Sequence, residues 1–356
     1  MSKDKPVILF IDVMNMFVRN FSSLNFTNDN GEHVGGIFGS LQSLRSVCER
    51  FKPDVVYCAW EGKGSTKKRK KLNPEYKAGR TFRGFNRGHF DKSEEDEKEA
   101  FSRQASVLRA ALQHLPVFQS SIDFLEADDV IAYVATRNFT GCTKIMVTCD
   151  RDYWQLLDEH TTIFRPIRKK VNKEGEIIRM TEYEPGQFGI GTYHAGNGEQ
   201  EDLLKCHPGN YMLTKVVGGD ASDNISGIKG VGEKTLLRDF PFLDSLKADG
   251  HIYSTSDIVE VAKERSEQPG GTKYKKYLIE ENTALMLRNQ DLVQLLDPDI
   301  SLKSVDDIQA SLTTYVPRFN PMKFRLTLVK ENISPRRIDS WTETFQRIRP
   351  EKVEIG

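Results

Sequence analysis

Leu125–Val130 reads Leu-Glu-Ala-Asp-Asp-Val, which puts Glu126, Asp128 and Asp129 within four residues. Val130, Ile131 and Val134 follow on a helical rhythm, so the acids fall in the first turn of an expected helix over 126–138. The helix dipole favours acids there, and for an isolated acidic helix start that alone would suffice. Further carboxylates stand at comparable element ends: Asp12, Glu61, Asp150 with Asp152, and Asp220 with Asp223. So many anions cannot converge without cations between them, because like charges raise one another's pKa. Oxygen-rich clusters of this kind suit Mg²⁺ or Mn²⁺.

The elements that must position these acids follow from hydrophobic periodicity. Val7–Ile11 is a continuous apolar run of strand length, as in a central parallel strand, and it ends at Asp12. A strand often ends in a polar turn residue; here Asn15 and Arg19 follow at spacings that return toward the strand end. Residues 37–51 read as a helix with Ile37, Leu41, Leu44, Cys48 and Phe51 on one face, and Val55–Trp60 as a second strand ending at Glu61. Strand–helix–strand implies a right-handed crossover in a parallel sheet, whose sites lie outside the carboxyl ends of the strands. Asp12 and Glu61 are then expected on one edge.

Residues 94–115 are expected to form a long helix, with Phe101, Leu108, Leu112 and Leu115 on one side. Val117, Phe118 and Ile122 lead into the acidic helix. Lys144–Thr148 is a third strand, followed by Cys149-Asp-Arg-Asp152 and a helical patch at Tyr153–Leu157. Thr162–Arg165 and Glu176–Met180 read as a hairpin across Asn172–Gly175, and 184–198 as a glycine-rich loop. Residues 211–217 look helical. Asp220 and Asp223 are three apart and face one way on a turn or helix. Gly227–Gly232 is a glycine-rich turn entering a helix at Glu233–Asp239, where backbone N–H groups can approach a phosphate. Alone it could be a simple tight turn. Residues 273–296 read as helical, with Tyr277, Leu285, Leu287, Leu292 and Leu296 as core. Tyr315–Arg349 is basic, either a continuation of a DNA-facing surface or an ordinary solvated face.

The chain has 356 residues, 38% of them hydrophobic, enough for two domains or one elaborated one. Formal net charge is zero, but its distribution is uneven. Residues 63–87 carry ten Lys or Arg and one acid, whereas 91–99 hold six acids against two lysines. Tyr76, Phe82 and Phe85 are interleaved with the cations, a mixture that suits nucleic acid: cations for phosphates, rings for bases. A bare Lys/Arg run would usually be a solvated loop. The five cysteines, at 48, 58, 142, 149 and 206, lack zinc-ligand spacing and read as reduced structural thiols of a cytoplasmic protein. The apolar start is short and broken by Asp12, so neither a signal peptide nor a membrane span is expected. No Walker A sequence or internal repeat occurs.

Together these residues resemble the 5′-nuclease, or flap endonuclease, superfamily, most of all the phage 5′→3′ exonucleases and phage RNase H. The matching pieces are Ile11-Asp12 with Asn15, Glu61 before Gly62-Lys63-Gly64, Pro74–Arg80, Glu126–Asp129, Thr148–Asp152, and Gly219–Asn224 running into Gly227–Gly232. The resemblance implies an α/β fold: a PIN-like core with a central, mostly parallel sheet, a helical arch, and a helix–three-turn–helix element that binds duplex DNA. It divides the chain into a nuclease core at 1–215 (arch at 62–100), the duplex-binding region at 216–300 and a helical, basic extension at 301–356. One Mg²⁺ site would draw on Asp12, Glu61, Glu126, Asp128 and Asp129, and a second on Asp150, Asp152, Asp220 and Asp223. Lys77 and Arg80 match arch cations acting on the scissile phosphate, Arg19 a basic residue near the site, and Tyr76 a stacking aromatic. Lys67, Lys68 and Arg69 would meet DNA, as would Gly227, Lys229, Gly230, Gly232 and Lys234, the turn holding a backbone phosphate through K⁺. The family usually has Asp where this chain has Glu61, so both a direct and a water-mediated contact stay open there.

The expected activity is phosphodiester hydrolysis on DNA with 5′ ends or flaps, and on RNA:DNA primers, by metal-activated water, in primer or flap removal during replication. Expected partners are replication proteins such as a sliding clamp or a single-strand-binding protein. The chain is expected to be a monomer, with no membrane partner. An RNA-only PIN-like nuclease and a catalytically inactive DNA-binding scaffold are the rival readings. The duplex-binding turn argues against the first, and the full set of acids against the second.

Overall fold

The computed structural model describes residues 5–79, 94–164, 205–314 and 316–355, with backbone alone at 94–95. Several sequence expectations lie outside the described residues: Arg80, the Phe82–Arg87 end of the basic stretch, the start of the 91–99 acidic run, Arg165, the Asn172–Gly175 turn and Glu176–Met180 strand of the hairpin, and the 184–198 loop. In chain order the helices and strands are β1 (Val7–Asp12), α1 (Val13–Ser23), α2 (Gly35–Phe51), β2 (Val55–Trp60), α3 (Lys67–Leu72), α4 (Glu94–Leu112), β3 (Phe118–Ser121), α5 (Ala127–Arg137), β4 (Thr143–Val147) and β5 (Thr161–Phe164). They continue with α6 (Tyr211–Gly218), β6 (Gly219–Asp220), β7 (Ile225–Ser226), α7 (Glu233–Asp239), α8 (Thr255–Ser266), α9 (Glu280–Val293), α10 (Leu302–Thr313), α11 (Pro321–Val329) and α12 (Pro335–Phe345). The chain forms two interleaved compact units rather than consecutive segments. One comprises Met1–Lys63, Thr81–Thr148 and Ser301–Gly356; the other comprises Gly64–Arg80 and Cys149–Ile300.

In the first unit, β1 lies between β2 and β4, and β3 borders β2, all parallel. Ile8 to Ile11 are at most 1% exposed, which explains the unbroken apolar run: a central strand is covered on both faces. Ile11 is level with Cys58 and Val147, and Trp60 with Ser121, so the carboxyl ends share one edge. β3 was not legible as a strand, because Phe118-Gln-Ser-Ser is short and half polar. Its polar side chains are used inside the unit. The Tyr57 hydroxyl donates to Ser120 Oγ at 2.8 Å, and Trp60 Nε1 donates to Gln119 at 2.9 Å.

Helices cover this sheet. Phe101 of α4 meets Phe17 and Phe21 of α1 edge to face, with centroids 5.0 and 5.1 Å away. α10, α11 and α12 belong to the same unit. Phe324, Leu328, Ile338, Trp341 and Phe345 of α11 and α12 are buried, and Trp341 Nε1 donates to Gln42 of α2 at 3.1 Å. The basic segment Tyr315–Arg349 therefore carries a core-facing apolar stripe and is not simply a solvated face.

In the second unit, Asn289 of α9 donates through Nδ2 to Val216 O of α6 at 2.9 Å and to Ser226 O of β7 at 2.8 Å. Residues 273–296 are not one helix: a 3₁₀ segment, Gly271–Tyr277, precedes α9. The core stripe is also shifted from the expected one. Met286, Leu292, Val293 and Leu295 are buried with Tyr277, whereas Leu285 and Leu296 are half-buried and Leu287 is exposed. The buried Asn289 explains the shift, since it marks the inward face with a polar residue that hydropathy reading passes over. Asp239, fully buried at the end of α7, accepts from the Tyr277 hydroxyl at 2.8 Å and pairs with Lys276 at 3.2 Å. Among the described residues no helix is long and apolar enough to cross a membrane.

Candidate functional site

The first acidic group belongs to the first unit. Asp12 ends β1 and caps α1, its Oδ1 accepting from Asn15 N at 2.9 Å. Arg19 lies half-buried on α1. Glu61 follows β2 and is exposed, its carbonyl accepting from Ser121 Oγ at 3.2 Å. The chain after β2 is strapped to the chain after β3: Gly62 N donates to Leu125 O at 3.1 Å and Phe124 N to Lys63 O at 3.0 Å. The approach is so close that a Cβ on Gly62 would sit 1.7 Å from Ile122 O, so glycine is required there. That strap brings the Glu61 strand end and the start of α5 onto one edge.

At that start Glu126 is 1% and Asp129 7% exposed. Glu126 N donates to Asp129 Oδ2 at 3.3 Å, and Asp129 N to Asp128 Oδ1 at 2.8 Å. One carboxylate oxygen from each of Glu126, Asp128 and Asp129 lies within 4.8 Å of the other two. Opposite ligands of an octahedral Mg²⁺ at ~2.1 Å are about 4.2 Å apart, so this set of hard oxygen donors fits such an ion with little adjustment.

The second acidic group belongs to the second unit. Asp150 caps the 3₁₀ helix Arg151–Leu156, accepting from Asp152 N at 3.0 Å. Asp220 accepts from Ser222 N at 2.8 Å and Ser222 Oγ at 2.6 Å. Lys215 of α6 pairs with Asp152 and reaches Asp220 at 2.7 Å. One ammonium is thus shared by two carboxylates, with a third beside them. Burial first, then the neighbouring Asp150, pushes Asp152 up to about 7 despite the lysine. Burial works against ionised Asp220 as well, but Lys215 and Ser222 outweigh it and hold that carboxyl below its usual range. Burial would depress Lys215, yet Asp152 and Asp220 hold its ammonium above the ordinary lysine range. Sequence reading missed Lys215. Its only signal was a lone charge within the otherwise uncharged Tyr211–Gly218.

Asp223 is met by Lys77 of the same unit. Its carbonyl accepts from Lys77 N at 2.9 Å, and its carboxylate lies 4.0 Å from Lys77 Nζ. Lys77 has φ +53°, a left-handed conformation uncommon for a residue with a side chain. Its ammonium lies 5.0 Å from the Tyr76 ring centroid, and the Arg69 guanidinium 5.9 Å from it. The structure corrects two sequence expectations here. Tyr76 is only 3% exposed, so its ring packs inside the second unit instead of presenting a stacking face. Arg69 is buried and donates through Nε to Leu292 O at 2.8 Å, so it is a structural residue of α3 rather than a surface cation. Lys67 and Lys68 are exposed, and Lys68 pairs with Asp299 at 2.5 Å.

The glycine turn enters α7 at Gly232, as its spacing predicts. Gly227 passes so close to Gly218 that a Cβ there would lie 2.1 Å from the Gly218 carbonyl carbon, and Gly230 has φ +79°. Lys229 of the turn and Lys234 in the first turn of α7 are exposed.

A family model for the 5′-3′ exonuclease N-terminal resolvase-like domain matches residues 7–184. The 5′-3′ exonuclease of Bacillus subtilis is 28% identical over 247 residues, covering 67% of this chain and 72% of that protein. Thermostable DNA polymerase I of Thermus thermophilus is 29% identical over 248 residues, covering 68% of this chain but 25% of that protein. The chain thus spans about a quarter of the length of the polymerase. The solved structure of the bacteriophage T5 D15 flap endonuclease in a pseudo-enzyme-product complex with DNA and metal ions superposes with a TM-score of 0.52. Its identity is 18%, over 92% of this chain and all of that one. That likeness is one of fold: helices around a central parallel sheet. With the family match running through half its length, the chain belongs to the 5′-3′ exonuclease family by its N-terminal resolvase-like domain.

Proposed function

We propose that this chain hydrolyses phosphodiester bonds at the 5′ ends and 5′ flaps of DNA, RNA:DNA primers included, with Mg²⁺ as cofactor. The observation that carries this is the Glu126–Asp128–Asp129 oxygen cluster, within 4.8 Å, at the carboxyl edge of a parallel sheet. Asp12 and Glu61 stand at strand ends on that edge and complete one ligand group; Asp150, Asp152, Asp220 and Asp223 make the second. Divalent cations held by these groups supply Lewis acidity and a nucleophile at neutral pH. The chain's own residues do the rest. Lys77, restrained by Asp223 through backbone and side chain, offers preorganised positive charge to the phosphate. Arg19 and Arg80 add to it. The Gly227–Gly232 turn, with Lys229 and Lys234, would hold the backbone of a duplex arm through backbone N–H groups and K⁺.

The test is cleavage of a labelled 5′-flap substrate, with RNA and DNA versions, in Mg²⁺ and in EDTA. Mg²⁺-dependent cutting of the DNA flap is expected. Cutting of RNA alone, or DNA binding with no cutting, would replace this reading by one of its two rivals.

A further inference from the structure

α11 reads Pro-Met-Lys-Phe-Arg-Leu-Thr-Leu-Val and is apolar on two nearly opposite faces. Its inner face is accounted for by the fold. Phe324 and Leu328 are fully buried, and the Phe324 ring meets Phe345 of α12 edge to face, with centroids 6.1 Å apart. On the outer face Met322 is 73%, Leu326 55% and Val329 41% exposed. Their spacing of four and then three residues sets them in one stripe along the helix. Counted round the helix, the centre of that stripe lies about 150° from that of Phe324 and Leu328. A surface helix ordinarily turns a polar face to water opposite its apolar one. α11 turns a second apolar stripe outward instead.

The helix is firmly held. Asn320 caps it, its side chain accepting from Lys323 N at 3.0 Å, while Asn320 N donates at 2.8 Å to the carbonyl of His114, just past α4. Beyond the other end, Glu331 pairs with Arg103 of α4. Both ends are tied to neighbours within the first unit, so the stripe is presented in one orientation and needs no ordering on binding. Cations border it on both sides. By the same count round the helix, Arg325 lies at one flank and Lys323 and Lys330 at the other. All three are exposed. Residues 316–330 hold four cations, Arg318 being the fourth, and no acid. The next two acids in the chain, Glu331 and Asp339, are already paired with Arg103 and Arg325.

We propose that the outer face of α11 docks an acidic amphipathic segment of another protein, whose apolar side chains cover Met322, Leu326 and Val329 while its carboxylates meet Lys323 and Lys330. Charge complementarity selects this occupant. A second copy of the chain would bring the same cations against one another in an isologous contact. A nucleic-acid strand would suit the lysines, but three aliphatic side chains offer no ring for a base. A membrane surface favours Trp or Phe on the apolar face, and the stripe has neither. A helix with an apolar face bordered by carboxylates satisfies stripe and rims together. The proposal uses none of the acidic site residues and does not depend on the nuclease reading.

The probe is a fluorescein-labelled helical peptide of about 18 residues, five turns, with Leu along one face and Glu on both flanks of that face. A matched peptide carries Lys in place of Glu. Binding to the full chain is read by fluorescence anisotropy and compared with Leu326→Glu and with the pair Lys323→Glu and Lys330→Glu. The wild type should bind the Glu peptide in the micromolar range and prefer it to the Lys peptide. Leu326→Glu should weaken that binding about 10- to 150-fold, as for loss of one buried leucine. The double charge reversal should turn the preference toward the Lys peptide. All three positions are exposed, so unfolding midpoints should stay at the wild-type value and any loss of binding is local. Failure of the wild type to bind the Glu peptide, equal binding of both peptides, or a preference unmoved by charge reversal would overturn the proposal. So would a wild-type dimer in sedimentation that Leu326→Glu abolishes, or binding to phosphatidylserine–phosphatidylcholine vesicles that the same variant loses, since a second copy or a membrane would then be the occupant.

Discussion

Replacing Lys215 with methionine keeps the side-chain stem and removes the ammonium that Asp152 and Asp220 share. Side-chain exposure is 13% for Lys215, 15% for Asp152 and 13% for Asp220, so the groups are mostly out of water. Removing one partner of a buried pair typically costs about 3–5 kcal/mol. Protonation of Asp152 relieves part of that cost, which makes the loss depend on pH. The Asp152 carboxyl titrates near 7 in the fold against 3.8 for the free side chain. Between those values the folded chain holds more protons than the unfolded one, so this residue lowers stability as pH rises from about 4 to 7. The raised Lys215 adds a term only above its ordinary 10.5, outside this range. Without the ammonium the Asp152 pKa moves higher still, and the variant keeps losing stability above pH 7, by up to about 1.4 kcal/mol per unit. The two proteins should therefore differ least near pH 5, where only the Asp220 pair is lost, and progressively more toward pH 8.5. The assay is urea unfolding across that range in EDTA. Parallel stability–pH curves for wild type and variant would refute the reasoning.

Gly62→Ala should destabilise the first unit by about 1–3 kcal/mol, since its Cβ meets Ile122 O at 1.7 Å, and should weaken Mn²⁺ binding measured by electron paramagnetic resonance by displacing Glu61. Unchanged midpoint and affinity would mean the strap does not position that strand end. Tyr76→Ala should cost about 3–5 kcal/mol in urea unfolding, as for truncation of a buried aromatic, while Tyr76→Phe stays close to wild type. A stable Tyr76→Ala that had lost only flap binding would restore the stacking role. Flap cleavage should vanish in EDTA and return with Mg²⁺ or Mn²⁺, whereas Ca²⁺ should support binding alone; comparable hydrolysis without metal would defeat the metal reading. Lys77→Ala should lower the single-turnover rate more than it weakens binding, with Lys67→Ala behaving the opposite way. A wild-type rate for Lys77→Ala would make Pro74–Gly79 a tether.

The strands β1, β2 and β4 and the helices α2, α5 and α7 were legible because each is a run whose apolar period matches its burial. β3 was hidden because Ser120 and Gln119 satisfy partners within the unit, so polarity marked an inside position. The Glu126, Asp128 and Asp129 cluster was legible because the three are neighbours in sequence. Tyr76 misled for the opposite reason. An aromatic among lysines reads as a surface ring, yet Arg69 and Lys77 both lie against it, and the three pack together. Composition cannot tell a cation that faces solvent from one that covers a ring. Lys215 left almost no trace, because what distinguishes it, an ion pair shared by two carboxylates, exists only after folding.

The two acidic groups are held by different means, and their supporting elements explain why. Glu126, Asp128 and Asp129 open α5, an eleven-residue helix whose terminal N–H groups and dipole already oppose negative charge. Backbone donors at Glu126 and Asp129 orient oxygens of Asp129 and Asp128. Asp150 and Asp220 cap short 3₁₀ helices of six and three residues, where the summed dipole is small, so compensation must come from a side chain. Lys215 supplies it, from a helix that otherwise carries no charge. A helix terminus cannot be withdrawn, whereas a lysine can swing away on its four-carbon stem. The first group is therefore balanced by the backbone that carries it. The second depends on a side chain that can move, so a divalent cation bound there would compete with Lys215 for Asp152 and Asp220.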